Sequence, residues 1–179
     1  VFSGIDHFER LASIHPAPFG AYIEAGEVAI VSASPELFLE VDPAGRALTR
    51  PIKGTAPRGA TKVLDSDAES RLRESFKDRA ENLMIVDVLR NDFGRVCVPG
   101  SIRVPSLWTT EALTTVWQLV SEVRGCLREG VTATDLLRAC WPGGSITGAP
   151  KIRAMQIIDE IEPDARDVYC GSIFALGHD

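Results

Sequence analysis

Lys53 stands in the middle of Thr49-Arg50-Pro51-Ile52-Lys53-Gly54-Thr55-Ala56-Pro57-Arg58-Gly59, an amine between two prolines that fix the chain's direction and beside a glycine that lets a ligand approach the backbone. Arg50, Lys53 and Arg58 make the stretch cationic. It reads as a rigid turn that catches a small anion with an amine poised against it, or as an ordinary solvated basic turn. Gly143-Gly144-Ser145-Ile146-Thr147-Gly148-Ala149-Pro150-Lys151 is a second candidate, a glycine-rich loop entering a helix. It lacks Walker spacing, because Ala149-Pro150 follow Gly148 where a lysine and a hydroxyl residue belong. Its free amides and two hydroxyls suit a carboxylate or phosphate as well as they suit plain helix capping. Glu36, behind Ser34-Pro35, and Glu81, in Arg79-Ala80-Glu81-Asn82-Leu83, are ordinary carboxylates taken singly. A strand and a turn between Glu36 and Lys53 can return the lysine beside the carboxylate, giving an acid and a nucleophile.

The elements that must position these groups follow from periodicity. Ala21–Glu24, Val28–Val31 and Leu37–Val41 read as short strands of an antiparallel meander, separated by Gly26 and by the Asp42-Pro43-Ala44-Gly45 turn. The loop from Pro51 to Ala60 comes next. Asp65-Ser66 then caps one long charged helix to about Phe93, stopped at Gly94, with Leu72, Phe76, Leu83, Met84, Asp87 and Val88 as its buried face. Ser101–Leu107 and Thr114–Val123 are rich in β-branched residues. Thr132 or Thr134 caps a short helix through Cys140 that Pro142-Gly143-Gly144 ends. Pro150 opens a helix to about Glu162 with Ile152, Met155, Ile158 and Ile161 inward, and Val168–Leu176 reads as a last strand. No repeat or linker interrupts this α+β pattern.

Composition narrows the function. The chain has 179 residues, 45% of them hydrophobic, enough for one sizeable core. Its net charge of −6, without a basic run interleaved with aromatics, argues against a nucleic-acid or anionic-membrane surface. Cys97, Cys126, Cys140 and Cys170 lack metal or redox spacing and read as reduced core thiols. His7, His15 and His178 are too scattered to form a cluster. No secretory leader and no run of about 18 apolar residues is present, which points to a cytoplasmic protein with no membrane contact. Val1 at the start and an apolar run at the end read as a segment cut at both ends.

Ser34-Pro35-Glu36-Leu37, Thr49 to Gly59, Arg79 to Asp87, Arg90-Asn91-Asp92, Gly94-Arg95-Val96-Cys97, Gly144 to Lys151 and Tyr169-Cys170-Gly171-Ser172 resemble, in that order, the chorismate-utilising enzymes. The likeness runs from about His15 to the end. Lys53 within Pro51-Ile52-Lys53-Gly54-Thr55 resembles the branch that forms aminodeoxychorismate, whereas the anthranilate-forming branch typically carries alanine there. The resemblance implies an α+β, four-layer α/β/β/α core of two packed, mainly antiparallel sheets flanked by helices, with the active site between the sheets. Residues 1–179 would then be part of a single catalytic domain, incomplete at both ends. It implies that Lys53 adds to C2 of chorismate as a covalent nucleophile while Glu36 protonates the departing C4 hydroxyl. A nucleophilic lysine must be neutral and a general acid protonated, so the pKa of Lys53 is expected to fall and that of Glu36 to rise.

Glu81 matches a Mg²⁺ ligand; Gly54, Thr55, Ser145, Gly148 and Tyr169 match positions lining the substrate pocket, with Lys151 beside them. Ammonia would come from a glutamine amidotransferase, separate or fused, and 4-amino-4-deoxychorismate would lead to 4-aminobenzoate and folate. The alternatives on the same scaffold are anthranilate and isochorismate formation, or a non-catalytic fragment that only binds. The chain departs from the family at Trp117-Gln118, where a histidine usually precedes Leu119-Val120-Ser121. Family members are also longer, so these residues alone are expected not to turn over.

Overall fold

A computed structural model describes residues 3–177, which leaves His178 outside the described residues. The chain divides into two units: residues up to Leu37 together with Ile173–Ala175, and Phe38–Ser172 together with residues 176–177. In the first, helix α1 (Gly4–Ile14) starts at a capping box in which Ser3 and Asp6 satisfy each other's backbone amides. The helix packs on an antiparallel hairpin of β1 (Phe19–Ala25) and β2 (Val28–Ser34), where a Cβ on Gly4 would come within 2.9 Å of the Ala29 Cβ. This helix is not among the elements expected from the sequence, although Ile5, Phe8, Leu11 and Ala12 recur at helical spacing along it.

The second unit holds a five-stranded sheet built on β7 (Val116–Cys126). One side of β7 pairs with β6 (Arg103–Ala112); the other pairs with β4 (Arg46–Arg50) and then β5 (Ile52–Pro57), all antiparallel. Strand β3 (Leu37–Val41) completes the sheet beside β4, so the expected meander breaks after β2. Asp42 forms the predicted turn by accepting from the amides of Ala44 and Arg46.

The long helix expected from Asp65 to Phe93 is two helices. α2 (Lys62–Glu74) is capped by Thr61, and α3 (Phe76–Gly94) by Ser75, whose hydroxyl accepts from the Asp78 amide. That break shifts the buried face. Asn82, Ile85, Val86, Leu89, Asp92 and Phe93 point inward, while Phe76 is 87% exposed and Leu83, Met84 and Asp87 are also exposed. Ile85, Val86, Leu89 and Phe93 meet Ala47 of β4, Val123 of β7 and Leu136, Ala139 and Cys140 of α4 (Ala133–Cys140) in the core. Each large apolar side chain buried there stabilises by about 1.5–3 kcal/mol. Thr132 caps α4, then α5 (Gly144–Thr147) and α6 (Lys151–Ile161) follow.

Two further expectations fail. Ile152, Met155 and Ile161 of α6 are exposed, Ile152 and Ile161 at 74% and 73%, so of the inward face expected there only Ile158 is half-buried. Val168–Leu176 forms a turn and extended chain without strand pairing, because a strand needs a partner and none of the described residues supplies one. All four cysteines are free thiols, but only Cys97 and Cys140 are buried; Cys126 is exposed.

Candidate active site

The segment around Lys53 is a bulged strand and not a turn. β4 and β5 run end to end along β7, held at the junction by the Ser121 amide donating to the Pro51 carbonyl at 3.1 Å. Ile52 faces Val120, yet Thr55 faces Gln118, so Lys53 and Gly54 on β5 stand against Leu119 alone. That extra residue is a β-bulge, a device that re-aims side chains. Gly54 makes it possible, with a φ of +96° and with the Asp78 Cβ only 2.9 Å from where its own Cβ would be.

The cationic trap expected here is largely neutralised. Arg50 pairs with Glu111, and Arg58 pairs with Asp65 at 2.6 Å while its guanidinium lies 4.6 Å from the centre of the Trp117 ring. Arg58 holds the Asp65 carboxyl well below the usual carboxylate range, helped by the Gly59 amide and the Trp117 indole. Lys53, half-buried, is left without an ion pair or hydrogen bond to any described residue.

Helix α3 spans the site as a ruler. Its Asp78 meets Gly54, and ten residues on its Val88 meets Gly144, which at 1.5 Å per residue separates the two contacts by about 15 Å along the axis. Glu81 lies seven residues, two turns, before Val88, so both are on one face about 10 Å apart. Glu81 is exposed and pairs with Lys77 at 3.8 Å. The described residues contain no cluster of three potential metal ligands. Glu81 nonetheless fits magnesium in kind, since that ion keeps several waters and takes one or two protein carboxylates plus substrate oxygens.

The glycine-rich loop sits at the far end of that face. Buried Gly144 presses on α3, where a Cβ would come within 2.8 Å of Val88 Cγ1. Ser145 is half-buried on α5, and Gly148 ends α5 with a φ of +107°. Lys151 turns inward: its ammonium donates to Asp92 Oδ2 at 2.6 Å and to the Cys140 carbonyl at 2.8 Å. Burial pushes the Asp92 carboxyl up against the pull of that ammonium, and the Cys140 thiol up to about 12.

Glu36 lies just before β3, in the first unit, with its amide donating to the Ser34 hydroxyl at 3.3 Å. Tyr169 is 73% exposed in the turn after α6 and has no hydrogen bond to another candidate among the described residues.

Residues 3–179 match the family described as chorismate binding enzyme. The chain belongs to that family. It is 54% identical over 93% of its length to aminodeoxychorismate synthase component 1 of Salmonella typhimurium, covering 36% of that protein. It is 46% identical over 98% of its length to an anthranilate synthase component 1 of Haloarcula marismortui, covering 35% of that protein. Among solved structures, anthranilate synthase component I from Streptococcus pneumoniae superposes with a TM-score of 0.86 at 34% identity, over 97% of this chain and 38% of that one. The chain thus spans little more than one third of the length of each of these three proteins. The mixed α/β fold with two antiparallel sheets and helices, expected from its motifs, is the fold of this chain.

The chain also holds structural residues that motif reading missed. In Arg79-Ala80-Glu81-Asn82, attention falls on Glu81, but Asn82 is the buried member: its amide donates to the Leu119 carbonyl at 3.2 Å and its oxygen accepts from Ser121 at 2.5 Å. Ser121 in turn accepts from the amide of Trp108, whose indole donates to the Arg79 carbonyl at 3.1 Å. This chain of bonds ties α3 to β7 and β6, and so holds the bulge against its helix. Trp117, one half of the departure from the family pattern, is committed to Asp65; Gln118 is buried opposite Thr55. An inward Asn on a helix one residue from a charged motif member is detectable only once the break at Ser75 fixes the helix's rotation.

Proposed function

We propose that the protein carrying this chain makes 4-amino-4-deoxychorismate from chorismate and ammonia, with residues 1–179 as part of one catalytic domain. The observation that carries this reading is Lys53 at a glycine bulge, free of the ion pairs that occupy Arg50 and Arg58. A lysine amine not already committed to a carboxylate is the one open to a substrate carbon as a nucleophile. Its nitrogen would bond to C2 of chorismate as the C4–O bond breaks, and Glu36 would give the departing hydroxyl its proton. Ammonia then bonds to C4 while the C2–N bond to Lys53 breaks, which returns the free amine. Gly54, Thr55, Ser145, Gly148 and Tyr169 would line the substrate, with Lys151 behind the loop.

Glu81 would supply one carboxylate to Mg²⁺, whose charge would offset a substrate carboxylate. The relatives named component 1 support a partner subunit, read as a glutamine amidotransferase that supplies ammonia. No helix among the described residues is long and apolar enough to cross a membrane. The product would feed folate biosynthesis in the cytoplasm.

Product identification after incubating the full-length protein with chorismate, Mg²⁺ and ammonium tests the reading. Aminodeoxychorismate is expected. The second reading, anthranilate formation, is favoured by the 0.86 superposition on an anthranilate synthase component, and anthranilate as the sole aromatic product establishes it instead.

A further inference from the structure

We infer that Lys151 is a positioning residue: its buried ion pair with Asp92 locks the glycine-rich loop onto α3 and so presents Ser145 and Gly148, without touching substrate itself. The inference rests on the proposed function for what the loop binds, and on geometry for how the loop is held. The side chains of Lys151 and Asp92 are 13% and 6% exposed, and the ammonium reaches across to the last carbonyl of α4 as well. One side chain therefore joins α3, α4 and the first turn of α6.

The loop between these anchors is closed upon itself. The Gly148 amide donates to the Gly144 carbonyl at 2.8 Å, and the Thr147 hydroxyl to the Gly143 carbonyl at 3.4 Å. Gly143 lies against Phe38, where a Cβ would come within 3.2 Å of the ring, and Gly144 lies against Val88. The loop's start is thus fixed by packing and its end by one charge pair. For Lys151 to reach a substrate carboxylate it would have to leave a buried Asp92 carboxylate without its ammonium, a costly exchange. Neutralising both partners together leaves no orphan charge, which is why the pair can be separated from direct substrate binding.

The test uses full-length protein with Lys151→Met, Asp92→Asn and the double variant, read by the KM and kcat for chorismate and by hydrogen exchange of amides 144–149 without substrate. Each single change is expected to raise KM about tenfold and speed exchange in the loop, because the loop is misplaced, while the double variant recovers most of both. If Lys151 grips substrate, Asp92→Asn leaves KM unchanged or lower and the double variant stays as weak as Lys151→Met; either result overturns the inference, as does unaltered loop exchange in the single variants. Asp92→Asn keeps a hydrogen-bonding group beside the ammonium and carries the test should Lys151→Met not fold. Exchange needs no substrate, so it judges the inference even if the wild type leaves chorismate untouched, a result that contradicts the proposed function instead.

Discussion

Lys53 and Lys151 both belong to glycine- and proline-rich segments and both lie against α3, yet their ammonium groups meet opposite surroundings. Lys151 spends its protons on a buried carboxylate and a carbonyl. Lys53 has neither among the described residues, on a bulge whose contact with α3 at Asp78 lies about 21 Å along the helix from Asp92. The difference separates a lysine that holds structure from one available for chemistry. An ammonium held by a buried carboxylate at 2.6 Å is committed to that bond, while nucleophilic attack needs an amine that can reach a substrate carbon.

The sharpest way to break the comparison is to exchange the two roles by mutation. In the full-length protein, Lys53→Ala is expected to cut kcat about 10⁴-fold or more with little loss of stability, as removal of a covalent nucleophile does elsewhere. Steady-state kinetics beside a thermal melt checks it; a large fall in Tm with kcat retained would make Lys53 the structural lysine. Lys151→Met should do the reverse, destabilising by about 3–5 kcal/mol because Asp92 is left buried and unpaired, with the Asp92→Asn partner change restoring much of it in denaturant titrations.

Gly54→Ala comes next, at about 2 kcal/mol, since its φ of +96° and the Asp78 contact at 2.9 Å both oppose a Cβ. Gly148→Ala shares the positive φ, but its nearest neighbour is Ala154 Cβ at 3.6 Å, so it should cost less in the same titration.

The smallest effect is electrostatic. Asp65 beside Arg58 keeps a depressed carboxyl pKa in the folded state, so its contribution is present above the unfolded aspartate value of about 3.9 and is lost as pH falls below that. Asp65→Asn should therefore lower Tm at neutral pH, and the gap from wild type should shrink in melts taken at progressively lower pH. A gap that stays constant would remove Asp65 ionisation from the clamp that braces the bulge.

How far these differences were legible in the sequence depends on whether the cue was local. Turn chemistry at Asp42–Gly45, the cap at Thr132 and the ordered motifs of a chorismate-binding enzyme need only neighbouring residues, and each appears where expected. The bulge did not: prolines at 51 and 57 look like a turn unless β7, about sixty residues downstream, is known to pair with the whole stretch. Phe76 looked buried because one uninterrupted helix was assumed, and Ser75, a single capping residue, rotates everything after it. The pairing of Lys151 with Asp92 spans 59 residues and carries no periodic signal at all.

Peptide mapping by mass spectrometry of the full-length protein quenched during turnover with chorismate and Mg²⁺ tests the central claim most directly. A chorismate-derived adduct on the peptide carrying Lys53, lost in Lys53→Ala and never found on Lys151, is the result the two surroundings predict. An adduct on Lys151, or one undiminished in Lys53→Ala with the same products, would contradict it.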